Sequence, residues 1–451
     1  MAGIPMRRAV HLAIGIVSLA YALAAQSAVI QPAAAAPAAR VIVVRARWLI
    51  DGVAAERRAD QEILIHDNRI IEVRAVGAQP LPAGADLIDL GAATVLPGLI
   101  DTHTHIFLQG EDPAAGGYDV QLLKFPLAYR AARATVSARR ALEQGFTTIR
   151  DMETEGAGYG DVGIKRAINE GYIPGPRMFV STLSISSTGG YPLEGYAPEI
   201  TVPKGSQLID GPIEARKAAR EQLDNGADWI KVYMTHRSWL DEQGALVSQP
   251  TLTVEELKAI VDEAHAWRKK VACHAYNGVG LQRALDGGCD SIEHGLEITD
   301  AQISQMIKQG TWYVPTLAVY YSDWAPEDTD VGKRDRKRAA VHGVSFRKAL
   351  HAGVKIAFGT DVGGFAWSEP IAQEFLREVE LGMTPMQAIQ SATTRAAELL
   401  GKRGELGIIA GGAYADLIAV AEDPLKDVGV LENVEFVMKN GVVFKSRAPR
   451  T

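Results

Sequence analysis

Val95-Leu-Pro-Gly-Leu-Ile-Asp-Thr-His-Thr-His105 is a short apolar run, punctuated by Pro97 and Gly98, that ends in two histidines one residue apart. Such a run reads as a buried strand. Side chains at i and i+2 of a strand share a face, so His103 and His105 can aim two imidazole nitrogens at one point. A His-x-His pair alone is weak evidence, because histidines also occur singly in cores. Its weight comes from later strand-like runs that each carry a potential ligand at or near the end: Lys231, His274, His294 and Asp361.

Between residues 95 and 402 strand and helix patterns alternate. Strands are expected at Thr94 to His105, Thr147 to Met152, Met178 to Ile185, Trp229 to Met234, Val271 to Tyr276, Ser291 to Gly295, Trp312 to Tyr320 and Lys355 to Asp361. The intervening stretches begin with helix-start signals: Thr253-x-x-Glu256 and Thr299-x-x-Gln302 are capping boxes, and Thr384-Pro385-x-Gln387 places proline at the first helical position. Eight strands alternating with helices predict an α/β fold of the (β/α)8 TIM-barrel type. A doubly wound open sheet is the runner-up, but no glycine fingerprint follows the first strand to support a nucleotide site. In a barrel, chemistry gathers at the carboxyl ends of the strands, where the candidate ligands fall.

Outside this middle the pattern is β. Val41 to Val44, Trp48 to Ile50, Glu62 to His66 and Arg69 to Val73 are short runs separated by Asp51-Gly52 and Asp67-Asn68 turns. The same character returns at Asp416 to Val420, Val434 to Met438 and Gly441 to Phe444. The two ends, residues 40–94 and 403–451, are expected to pair into a small β-sandwich domain beside the barrel at 95–402.

The chain has 451 residues, a net charge of −7 and intermixed signs, which gives no basic field for nucleic acid. The expected partner is a small molecule. Residues 1–39 read as a secretory signal and Ala/Pro-rich linker: Arg7 and Arg8 precede an apolar stretch from Ala9 to Ala25, then small residues with cleavage points after Ala24, Ser27, Ala28 or Ala36. The apolar core falls short of the roughly 20 residues that span a bilayer. Export to the periplasm or medium, with no stable membrane anchor, is expected. Only Cys273 and Cys289 are present, too few for a disulfide scaffold. Cys273 should face away from the side of its strand that carries His274, which makes buried free thiols the default and leaves a pairing between the two open.

The ordered set His103-x-His105, Lys231, His274, His294 and Asp361, with Pro97-Gly98-Leu-Ile-Asp101 before it and Gly359-Thr360-Asp361 at its end, resembles the amidohydrolase superfamily with a binuclear metal centre. Trp229-Ile-Lys-Val-Tyr233 and Ser187-Thr-Gly-Gly190 are most similar to its prolidase-type dipeptidases and ochratoxin amidohydrolases. The resemblance implies His103, His105 and Asp361 on one metal, His274 and His294 on the other, and Lys231 as an N6-carboxylysine bridge. Two zinc ions are the expected cofactors, from the mix of imidazole and oxygen ligands. Two cations would lower the pKa of a shared water and polarise a carbonyl. Asp361 would take the proton from the attacking hydroxide and pass it to the departing amine, with Lys231 and His294 completing the catalytic set. Tyr233, Tyr191, His236 and Arg237 are the expected substrate contacts, the last two able to attract a carboxylate.

The expected activity is hydrolysis of the amide bond to a C-terminal amino acid in dipeptides or N-acyl amino acids, ochratoxin being one candidate. The alternative keeps the site and changes the bond, to a lactone, ester or cyclic amide as in imidazolonepropionase-like enzymes. A metal-sequestering protein without turnover is the reading from another class, and Asp361 argues against it because storage needs no proton shuttle. The resemblance also implies a homo-oligomer, since relatives are often multimeric.

Overall fold

The computed structural model describes residues 41–110, 117–191, 193, 195–321 and 325–446. The expected signal and linker, residues 1–39, lie outside the described residues.

The expected first strand is in fact two strands that belong to different sheets. Thr94–Pro97 pairs antiparallel with Leu417–Val420 and parallel with Val41–Leu49. Leu99–Thr104 pairs in parallel with Phe146–Asp151. Gly98 is the joint, since a Cβ there would collide with the Thr147 side chain, and only glycine lets two backbones approach so closely.

Thr94–Pro97 therefore sits in the sheet made by the two β-rich ends. This sheet has eight strands, drawn from residues 41–97 and 417–446. Val44 and Ala46, Ile63 and Ile65, and Leu417 and Ala419 point at period two into one apolar cluster. The expected sandwich appears as a single continuous hydrogen-bonded sheet.

The middle of the chain is α/β. Leu99–Thr104, Phe146–Asp151 and Arg177–Val180 form a three-stranded parallel sheet. Gln207–Ile209, Ile185–Ser187, Trp229–Tyr233, Lys270–Asn277, Ser291–Glu297 and Trp312–Val314 form a six-stranded one, parallel throughout. The sheets are joined by individual backbone bonds rather than by a continuous ladder: Asp228 N to Val180 O (2.7 Å) on one side, Thr102 N to Phe358 O (3.0 Å) and Tyr313 N to Lys355 O (2.8 Å) on the other.

Three further expected strands depart from the reading for local reasons: Trp312 to Tyr320 is strand only over Trp312–Val314, then turns at Thr316 (φ 52°) into a 3-10 helix at Ala318–Tyr320. Met178 to Ile185 is cut in two where Thr182 takes φ 60°. Lys355 to Asp361 makes only isolated bridges, at Ile356 and beyond its end at Val362, because Asp361 turns the chain at φ 61°. The three capping boxes form as expected, at Thr253, Thr299 and Thr384.

Two features depart from the sequence reading. An antiparallel hairpin, Thr235–Leu240 with Leu246–Pro250, rises directly after Trp229–Tyr233. Cys273 and Cys289 form a disulfide with Cα atoms 6.1 Å apart, in place of the free thiols expected by default. Cys273 does face the core rather than the His274 side, and there it meets the residue that enters the next strand. No helix among the described residues is long and apolar enough to cross a membrane.

Candidate metal centre

Strand register brings the candidate ligands together. Tyr233 stands beside His274, and Ala275 beside His294, across neighbouring parallel strands. Asp361 is drawn to the first strand by its backbone N–H, which donates to His103 O (2.8 Å). His103 and His105 ring centroids lie 5.3 Å apart, His103 and His294 5.0 Å, and His274 and His294 4.3 Å. Lys231 Nζ is buried 3.4 Å from His103 Nε2. Asp361 Oδ1 is 3.1 Å from His105 Nε2 and 3.5 Å from His103 Nε2. His294 and Asp361 both sit at positive φ, 73° and 61°, a conformation that turns their side chains out of the strand direction.

Partners on the far side of each ring set its orientation. His103 Nδ1 is 2.7 Å from Glu293 Oε2, and Glu293 is itself bound by Arg150 Nη2 at 2.9 Å. His294 Nδ1 is 2.8 Å from Thr316 Oγ1. His105 Nδ1 lies 3.2 Å from Glu155 Oε1, an ion-pair distance without hydrogen-bond alignment. Three rings are thus held from their Nδ1 side, the arrangement that aims Nε2 at a metal. His274 Nε2 is buried and has no hydrogen-bond partner among the described residues. An orphaned imidazole nitrogen beside a lysine and three other histidines has the chemistry of a metal ligand.

Electrostatics agree with this. Burial, then the Lys231 charge, holds His103 well below its ordinary value, and burial with His294 beside it does the same to His274. Burial lowers His294 to about 3. All three are neutral imidazoles, the form that binds metal. His105 behaves differently: burial opposes its charge, but Asp361 and Glu155 push it up to about 9. A proton and a divalent cation compete for that ring. Asp361 is lowered despite its burial, through the hydrogen bond from His105 and its imidazole neighbours.

The ligands open into a cavity of about 1020 Å³. Tyr191, Tyr233 and His236 line it; Arg237 does not. The hairpin ladder shifts register between Thr235 and Ser238, which interrupts the alternation of faces there and sets Arg237 apart from His236. The Tyr233 and Tyr191 hydroxyls are turned towards buried acids: Tyr233 Oη is 2.7 Å from Glu153 Oε2, and Tyr191 Oη 2.7 Å from Glu155 Oε2, an oxygen that also accepts from Tyr118. Burial and Glu155 together raise Glu153. His105, Glu153 and Glu155 are a second group of candidate metal ligands beside the His103, His105, Asp361 group. Sequence reasoning missed these two acids. Their signal was present in Met152-Glu-Thr-Glu155, which follows a strand end as the other site residues do.

The sequence pattern of the amidohydrolase family matches residues 94–444. The chain belongs to the amidohydrolase family. It is 32% identical over 381 residues to an ochratoxinase from Aspergillus niger, covering 78% of this chain and 75% of that protein. An imidazolonepropionase from Nocardia farcinica is 26% identical over 376 residues, covering 80% and 86%. Among solved structures, a Xaa-Pro dipeptidase with bound methionine in its active site superposes with TM-score 0.80 at 34% identity, covering 90% of this chain and 100% of that one. For this amidohydrolase the likeness implies the (β/α)8 layout that the broken strand ladder approximates. The family binds divalent metals, and the orphaned His274 nitrogen and the Nδ1-anchored rings suit that chemistry.

Proposed function

We propose that this amidohydrolase is an exported, binuclear zinc enzyme that hydrolyses the amide bond to a C-terminal amino acid in dipeptides or N-acyl amino acids, an ochratoxin-type amide among them. The observation that carries the reading is the meeting of His103, His105, Lys231, His274, His294 and Asp361 at one cavity mouth, with imidazole Nε2 atoms on the side away from their anchors. The substrate class is supported by the named activities of the ochratoxinase and the methionine-bound dipeptidase.

His103, His105 and Asp361 would hold one metal, His274 and His294 the other, with Lys231 as a carbamate between them. An ammonium repels a cation, whereas a carbamate offers two anionic oxygens. When bound, the metals supply Lewis acidity towards the scissile carbonyl and activation of the attacking water. Asp361 is held ionised, so a carboxylate oxygen is open to a proton, and its Oδ1 stands 3.1 Å from His105 Nε2 at the cavity wall. It accepts the proton from the water and returns it to the leaving amine, which cannot depart as an anion. Glu293 and Thr316 keep their imidazoles fixed while this occurs. Export is supported by the basic and apolar pattern of residues 7–25 and by the disulfide, which persists in oxidising compartments. The homo-oligomer rests on the family resemblance.

The test is amino acid release by zinc-loaded enzyme from a panel of dipeptides and N-acyl amino acids. Free C-terminal amino acid is the expected product. Silence on the panel, together with turnover of lactones or cyclic imides, would move the enzyme to the imidazolonepropionase-like alternative, which the Nocardia farcinica relative supports.

A further inference from the structure

The two tyrosines expected to receive a substrate carboxylate point the wrong way. Tyr233 Oη faces Glu153, which is fully buried, and Tyr191 Oη faces Glu155. A carboxylate placed there would approach two acids. Glu153 and Glu155 already occupy the hydroxyl ends of both rings.

Arg338 offers a cation to the same cavity. Arg338, from the helix Asp330–Ala352, lines the cavity with His236, and its guanidinium is seated on the hairpin: Nε and Nη2 donate to Ser238 Oγ at 2.9 and 2.6 Å. Its Nη1 lies 3.5 Å from Asp335 Oδ1, an oxygen already held by Arg334 at 2.9 Å. Five N–H donors exceed these contacts. The Arg338 guanidinium carbon stands 5.2 Å from the centre of the Tyr276 ring, and that ring stands 4.4 Å from His274 and 5.6 Å from His294. One aromatic ring thus separates a fixed guanidinium from the second pair of candidate ligands. His236 Nδ1, beside the same cavity, is buried with no hydrogen-bond partner among the described residues.

We infer that Arg338, with His236 beside it, binds the α-carboxylate of the leaving amino acid, with Tyr276 as the floor beneath that residue. The inference rests on the reading under Proposed function that the substrate ends in a free amino acid. Arginine suits the task because its planar fork meets both carboxylate oxygens. Ser238 holds that fork in place, acting as a positioning residue.

The experiment uses matched pairs, each N-acyl amino acid against its carboxamide, with wild type, Arg338→Met, Arg338→Lys and Ser238→Ala. Binding is read by calorimetry and turnover by amino acid or amide release, with zinc content and urea midpoint as controls for folding. The expected result is that Arg338→Met weakens binding of the acids by roughly 10- to 100-fold, the range of a charged hydrogen bond, raises KM in step and leaves kcat within a few-fold. The carboxamides should be indifferent, and Arg338→Lys should recover part of the loss. Ser238→Ala should give a smaller loss confined to the acids. Equal weakening of acid and amide, or no preference for the acid in wild type, would overturn the assignment. Turnover that ignores Arg338 sinks this inference and leaves the proposed activity standing. Acid-selective, Arg338-dependent binding without amide cleavage would do the reverse.

Discussion

The two halves of the metal centre are built differently. His103, His105 and Asp361 sit on a broken ladder, joined by single backbone bonds, and their outer partners are anions: Glu293 behind His103 and Glu155 behind His105. His274 and His294 sit on adjacent strands of a continuous parallel sheet, and the groups packed on them are a hydroxyl and aromatic rings: Thr316 on His294, and Tyr233 and Tyr276 at 4.6 and 4.4 Å from His274, with the nearest carboxylate, Asp361, 4.0 Å from His294. The first half has charge and little backbone regularity. The second has regularity and little charge, so a cation there depends on anionic oxygens brought from outside the pair. On the proposed reading Lys231 would supply them as a carbamate, beside Asp361 Oδ2 at 4.0 Å from His294.

The largest effect should come from the charged half. Asp361→Asn keeps the volume and removes the proton acceptor, and kcat at saturating zinc should fall roughly 10²- to 10⁴-fold, with zinc on the first half also weakened because an anionic ligand is lost. Near-normal turnover would make the two halves equivalent in chemistry. Lys231→Ala should separate them by metal rather than by rate. The zinc on His274 and His294 should weaken by more than roughly 100-fold, since even an outer partner is worth 10–100-fold. Elemental analysis should show one equivalent lost first, recovered with a small added carboxylate. Loss of both metals together would erase the distinction.

Regularity can be tested through the disulfide that ties the His274 strand to the entry of the His294 strand. The loop it closes spans 16 residues, so Cys289→Ala should cost about 3 kcal/mol of stability, read as a urea midpoint, while zinc bound to the first half is unaffected. The smallest effect belongs to the helices behind this half. Glu263 accepts from Arg216 Nη1 at 2.6 Å and Arg220 Nε at 2.9 Å, tying Pro212–Asp224 to Val254–Ala266. The Arg220 and Arg216 hydrogen bonds lower its carboxyl to about 2. A depressed carboxylate pKa contributes stability that is present above about 4.5 and is lost as pH falls through about 2. The arginines are exposed, so solvent screening limits Glu263→Gln to about 0.5–1 kcal/mol at pH 7. The gap from wild type should narrow below pH 4.5; a gap that stays constant to pH 3 would remove the ionic explanation.

The same contrast explains what can be read from the residues. Ligands at strand ends and capping boxes are local or periodic signals, and His274, His294, Thr253 and Thr299 are legible for that reason. The break at Gly98 is not, because it depends on Thr147 lying across from it. Strand alternation puts Tyr233 on the correct face, yet its hydroxyl direction is set by Glu153, which lies on another strand end eighty residues away. Sequence adjacency to the site strand favours Arg237 over Arg338, whereas Arg338 arrives from a helix a hundred residues later than Ser238, the residue that seats it. The cysteine pairing is not legible, because thiol spacing carries no register. Charge and partner choice are tertiary properties, and they separate the two halves more than ligand identity does.

Glu155, His294 and Asp361 share a left-handed backbone, at φ 51°, 73° and 61°. Such posts each cost about 1–3 kcal/mol. Where the strain relieved exceeds the hydrogen bonds and ion pairs lost with the side chain, an evolutionary path that rewards heat tolerance alone would replace these residues, hardening the fold while dismantling the site. A thermal selection run without substrate should therefore yield survivors that outlast the parent and do nothing, and the sites they lose would mark where activity and endurance are in direct conflict.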